Sequence, residues 1–94
     1  MVEQLRALAD PVRLSIVREL HDGTRCAREL AEVAEVSPPL LSHHLKVLRT
    51  SGLISGARRG RWIDYTLDER TFHSLLGWLD TPAPRRAPGV DCGS

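Results

Sequence analysis

The sequence predicts a mainly α-helical domain with one small antiparallel hairpin, in the order α-α-α-α-β-β-α, and three observations carry that reading. Apolar residues recur at helical spacing in five segments of the 94-residue chain. Gly60, set among Arg58, Arg59 and Arg61, marks a tight turn between two runs of strand-forming residues. The stretch from Ser37 to Ile63 contains Lys46, Arg49, Arg58, Arg59 and Arg61 and no Asp or Glu. With 13 bases and 12 acids overall, the rest of the chain holds eight bases against all 12 acids. Charge segregated in this way is what a surface facing a polyanion looks like in sequence.

Each element has its own justification. Val2 to Ala9 places Leu5, Leu8 and Ala9 on one side of a short amphipathic helix. Asp10-Pro11 then reads as an N-cap followed by proline at the first helical position. From Val12 to His21, Leu14, Val17 and Leu20 form an inward stripe, with Arg13, Arg18 and Glu19 outward, until Asp22-Gly23 supplies turn chemistry. Thr24 caps a third helix whose Cys26, Leu30 and Val33 share one face and whose Arg28, Glu29 and Glu32 share the other. After the short link Ala34-Glu35-Val36, Ser37 is an N-cap with Pro38 at the first helical position, and Leu41, Leu45 and Leu48 make an apolar stripe. Pro39, Ser42, His43 and Lys46 look the other way. Adjacent helical positions diverge by about 100°, so His43 and His44 cannot share a face; His43 belongs outward and His44 to the packed flank.

Gly52 stops that helix, Leu53-Ile54-Ser55 opens a strand, and Trp62 to Leu67 returns. Two short helices joined so tightly, the second polar on its outer side, form a helix-turn-helix. Asp68 caps a final helix from Glu69 to about Leu79, in which Phe72, Leu75, Leu76 and Leu79, with Trp78 beside them, exceed what a small monomer covers. Pairing with a second copy is the outlet, so a homodimer is expected. Residues 1–80 are then one DNA-binding and dimerisation domain, and 81–94, with Pro82, Pro84 and Pro88, a disordered Pro-rich tail.

Composition excludes several functions. There is no glycine-rich phosphate loop, no paired-cysteine zinc pattern and no nucleophile, base and orienter set, so an enzyme is not expected. No apolar run approaches a membrane span and the first residues are not those of a secretory leader, which points to the cytoplasm, with Cys26 and Cys92 as reduced thiols. A helix with short polar side chains outward, followed by an arginine-tipped hairpin, suits duplex DNA: helix in the major groove, tip at the backbone or minor groove. The candidate DNA contacts are Ser37, Pro39, Ser42, His43, Lys46, Arg49, Arg58, Arg59 and Arg61, with Lys46 and Arg49 on phosphate.

LADPVRLSIVREL, CARELAEVAEVSPPLLSHHLKVLRTSGLI and RRGRWIDYTLD, in that order across about residues 5 to 79, resemble the winged helix-turn-helix core of the ArsR/SmtB repressors. The resemblance implies a cytoplasmic, homodimeric transcriptional regulator that binds an inverted-repeat operator in double-stranded DNA and releases it when a transition metal ion or arsenite binds. It also implies that Pro38, Pro39, Ser42 and His43 enter the major groove. Two of these are proline, which moves the expected base reading onto Ser42 and His43. For the effector, a thiolate site would join Cys26 to Cys92, and the alternative site known in the family, on the last helix, would use His73 and Asp80 from both chains. A regulator without a metal, answering to a thiol reaction or a partner, stays open, as does a winged helix that binds protein.

Overall fold

The computed structural model describes residues 1–82. In chain order the elements are α1 (Val2–Leu8), α2 (Pro11–His21), β1 (Arg25–Cys26), α3 (Ala27–Ala34), α4 (Pro38–Thr50), β2 (Ile54–Arg59), β3 (Trp62–Leu67) and α5 (Glu69–Asp80). The expected order of five helices around a hairpin holds. The tail beyond Pro82, including Cys92, lies outside the described residues. No helix among the described residues is long and apolar enough to cross a membrane.

The hairpin gains a third strand that the sequence pattern does not announce. Arg25 and Cys26 pair antiparallel with Tyr65 and Asp64, giving a sheet in the order β1-β3-β2. Two residues are too few for any apolar alternation to show, and only the partner strand holds them extended. The same strand moves the start of the third helix, so that Cys26 and not Thr24 occupies the N-cap of α3.

Helix α2 starts as expected, with the Asp10 carboxylate accepting from the backbone N–H groups of Val12 (2.9 Å) and Arg13 (3.1 Å). Its inward face differs, however. Ile16, Val17 and Leu20 are buried, while Leu14 is 43% exposed. Ile16 and Leu20 stand four apart and set the direction of burial, which turns Leu14 about 200° away from Ile16. Ala9, expected inward on the first helix, is exposed, and Ala7 takes its place. In α3 the packed stripe is Ala27, Leu30, Ala31 and Ala34, with spacing i, i+3, i+4, i+7, and Val33 is left outside.

The core joins these stripes to Leu41, Leu45 and Leu48 of α4 and to Leu53, Ile54, Tyr65 and Leu67 of the sheet. Burying each such Leu or Ile contributes roughly 1.5–3 kcal/mol. The end of α4 is fixed by its backbone: Gly52 adopts φ 84°, its N–H donates to the Arg49 carbonyl (3.0 Å), and Leu53 N–H reaches back to the Leu48 carbonyl (3.2 Å). That pair of bonds is a Schellman motif, and it brings the fully buried Leu53 and Leu48 to its two ends. The Leu53 carbonyl then accepts from Asp68 N–H (2.8 Å), tying the start of β2 to the cap of α5.

Candidate nucleic-acid interface

The link between α3 and α4 is only Glu35, Val36 and Ser37. Glu35 makes the turn in the left-handed region (φ 55°), with its N–H on the Ala31 carbonyl at 2.9 Å. Pro38 and Pro39 open α4, where their missing N–H groups leave no intrahelical bond unmade. Ser37 holds the N-cap position with extended backbone, yet its side chain makes no capping bond; only its carbonyl serves the helix, accepting from Leu41 N–H at 2.9 Å. The expected hydroxyl cap is therefore corrected.

Helix α4 is cleanly two-faced. Leu41, His44, Leu45 and Leu48 are buried, and Pro39, Ser42, His43, Lys46 and Arg49 are on the other side, all open to solvent. Spacings of three and four place that outer set in one row along the helix. The two neighbouring histidines part as their angular separation requires, with His43 in solvent and His44 6% exposed.

His44 has a partner that the sequence does not reveal. Arg13, expected outward, is half-buried, and its guanidinium donates to the Ala7 carbonyl (2.7 Å), to His44 Nδ1 (3.2 Å) and, at 3.4 Å, to the Arg6 carbonyl. Because arginine only donates, His44 Nδ1 is the acceptor and its ring proton sits on Nε2. One side chain thus ties α1, α2 and α4 together. Arg13 is three residues before Ile16 and four before Val17, a spacing that puts it on the flank of the core.

The hairpin projects Arg58, Arg59 and Arg61 beyond the core. In register, Arg59 faces Trp62, Arg58 faces Ile63 and Ala57 faces Asp64, so the loop is the two residues Gly60 and Arg61, with Gly60 at φ 62°. Arg59 is already engaged within the hairpin: its Nε and Nη2 donate to the Asp64 carboxylate at 2.8 and 3.3 Å, while its side chain stays 72% exposed. This bidentate bond raises the Arg59 pKa further. The acid-free stretch ends at Ile63, and the next residue folds back across the strands to neutralise one of its five bases. Neither Arg58 nor Arg61 forms an ion pair among the described residues.

The candidate effector residues are dispersed. Cys26 is half-buried at the start of α3, and its backbone N–H donates to the Glu29 carboxylate at 3.0 Å, which holds that carboxyl below its usual range. Its expected companion Cys92 is outside the described residues. His73 and Asp80 lie exposed on α5, bordering a surface hollow of about 580 Å³ with Leu76, Gly77 and Leu79. Among the described residues no three of His, Cys, Asp and Glu come together in a way that could hold a metal ion.

Comparison with known proteins gives a consistent result. The family described as "Bacterial regulatory protein, arsR family" matches residues 10–55. The chain is 45% identical over 75 residues to the HTH-type transcriptional repressor SmtB of Mycobacterium tuberculosis, covering 79% of the chain but only 56% of that repressor, so it spans little more than half of that relative's length. It is 39% identical to the arsenical resistance operon repressor of Bacillus subtilis, covering 79% of the chain and 71% of that protein. Among solved structures, the transcriptional repressor BigR from Xylella fastidiosa superposes with a TM-score of 0.71 at 35% identity, over 83% of this chain and 80% of that one.

Proposed function

The chain belongs to the arsR family of bacterial regulatory proteins, and from that premise we propose that residues 1–80 act as a homodimeric transcriptional repressor. In this reading α4 enters the major groove of an inverted-repeat operator, and the β2–β3 hairpin is the wing against the backbone or minor groove. The observation that carries it is the outer row on α4, where Ser42 and His43 are free to meet base edges and Lys46 and Arg49 stand ready for phosphate, with no carboxylate among them. Ser37 and Pro39 border the row at the helix start. Arg58 and Arg61 serve the wing, and Arg59 acts from its Asp64 tether.

The second subunit is supported by α5, which leaves Leu76, Trp78 and Leu79 about half exposed on a small domain. Lys46, Arg49, Arg58 and Arg61 from each protomer make a strongly salt-dependent complex. Affinity for an inverted-repeat duplex is expected to fall roughly 10³- to 10⁵-fold between about 50 and 200 mM salt, the range for about six to ten phosphate contacts. Fluorescence anisotropy of a labelled duplex reads this directly, and a flat salt response rejects the proposal.

We further propose effector-controlled release. The relatives of this chain include an arsenical resistance operon repressor and a protein described as a "Probable mercury resistance operon repressor". A site on this chain needs donors from more than one protomer, such as His73 and Asp80 of both α5 helices, or it needs Cys26 joined by Cys92. Titrating the reduced protein with nickel, zinc and arsenite while following duplex release separates the two. His73→Ala removes the response in the first case and Cys26→Ser in the second. If neither changes it, both sites are wrong and a metal-independent effector takes their place.

A further inference from the structure

The wing carries a large apolar side chain that its own fold does not use. Trp62 is 48% exposed and takes no part in the core cluster. Directly opposed residues of an antiparallel pair share a face, as do alternate residues of one strand. The register therefore puts Ala57, Arg59, Trp62 and Asp64 on one face of the hairpin and Gly56, Arg58, Ile63 and Tyr65 on the other. The second face is the packed one. Tyr65 is buried, Ile63 lies against the core, and a Cβ on Gly56 would come within 3.1 Å of the Tyr65 ring and 3.3 Å of Ile63. Trp62 stands at the tip of the opposite face, between an Arg59 already held by Asp64 and an Arg61 with no ion pair among the described residues.

We propose that Trp62 is the wing's direct contact with the duplex, its indole lying against the deoxyribose edges that line the minor groove while Arg58 and Arg61 meet the flanking phosphates. This inference rests on the DNA-binding function proposed above. Apolar side chains are the groups that pack against sugars and base steps in that groove, and an indole adds one N–H donor for an acceptor there. Charge complementarity chooses the occupant: a half-exposed ring flanked by arginines, with its one nearby carboxylate already engaged, faces a polyanion. The Asp64–Arg59 bond also has a role in this arrangement. It ties Arg59, the residue opposite Trp62, to the neighbouring position of the return strand, so the ring projects from a braced hairpin.

The chain has two tryptophans, so Trp78→Phe leaves Trp62 as the only indole reporter. Titrating that variant of the 94-residue chain with a duplex carrying an inverted repeat is expected to quench and blue-shift its emission, saturating with the anisotropy of the labelled duplex. Trp62→Ala is expected to weaken binding roughly tenfold, the scale of one apolar side chain losing partial burial. Its salt slope should stay unchanged, because an uncharged contact releases no counterion, and Trp62→Phe should restore most of the affinity. Duplex binding with unchanged Trp62 emission and intact affinity in Trp62→Ala overturns this inference alone. Absence of duplex binding by the unaltered protein overturns the DNA-binding function and this inference together. An emission change that follows protein concentration without DNA assigns the ring to self-association and also overturns it.

Discussion

At Arg13 one guanidinium satisfies two main-chain carbonyls and a buried imidazole, joining three helices. Arg13→Met keeps most of the side-chain volume and removes every donor, leaving the Ala7 carbonyl and His44 Nδ1 to find others. A loss of about 1–3 kcal/mol in urea unfolding is expected, the cost of leaving buried acceptors unpaired. The outward residues divide by the role proposed for each. Replacing Arg58 or Arg61 by Ala should weaken binding to all duplexes alike and reduce the salt slope by about one each, whereas changes at Ser42 or His43 should alter the preference between operators. Anisotropy on two related duplexes tests both, and equal losses everywhere would remove the base-reading role from Ser42 and His43. At this scale the sequence is legible where a single helix decides the matter, as in the parting of His43 from His44. It is silent where two elements meet: the Arg59–Asp64 and Arg13–His44 bonds depend on strand register and on helix packing that no spacing along one segment displays.

The helices owe their limits to local chemistry, which is why most are readable. Asp10-Pro11, Asp68 and Gly52 each mark a terminus in the structure as in the sequence. The exceptions are physical too. Strand β1 exists only because β3 pairs with it, and Leu14 loses the inward position to the arc set by Ile16 and Leu20. The Asp10 carboxyl is lowered below its ordinary 3.8 chiefly by the Arg13 N–H bond, then by that of Val12, with burial opposing. Asp68 is lowered from the same value chiefly by its bond from Thr71 N–H. A carboxylate whose folded pKa is depressed stabilises the fold above its unfolded pKa, and that contribution is lost as pH falls through the folded value. Asp68→Asn can still cap but lacks the charge, so its stability, followed by circular dichroism, should be lower near neutral pH, converge with that of the unaltered protein in acid, and so depend less steeply on pH. Gly52 gives a second test. An added Cβ meets nothing within 4 Å, so Gly52→Ala should cost only the left-handed backbone penalty, about 1–2 kcal/mol, with an unchanged urea m-value.

For the molecule as a whole, two surfaces stand out against the core that the helices and the sheet share. One is the row on α4 with its neighbouring wing, and the other is the apolar side of α5. Segregation of charge along the chain makes the first visible in the amino-acid order itself, while the second follows from apolar residues that a domain of this size cannot enclose. The effector stays illegible because its candidate donors are spread over distant segments and, for a site on α5, over two subunits. Replacing Leu76 and Leu79 together by Glu should yield monomers in sedimentation velocity with helical content retained, and should abolish tight duplex binding; a dimer that survives both charges would move the interface elsewhere. Under the proposed function, the bracing of α4 by Arg13 bears on what kind of operator a pair of subunits can tolerate. A reading head pinned to the rest of its subunit cannot swivel to follow its target, so the gap between the two half-sites becomes as much a part of recognition as their letters. One extra base pair at the operator's centre turns one half-site by about 34–36° and shifts it about 3.4 Å, and a braced pair of subunits would refuse it.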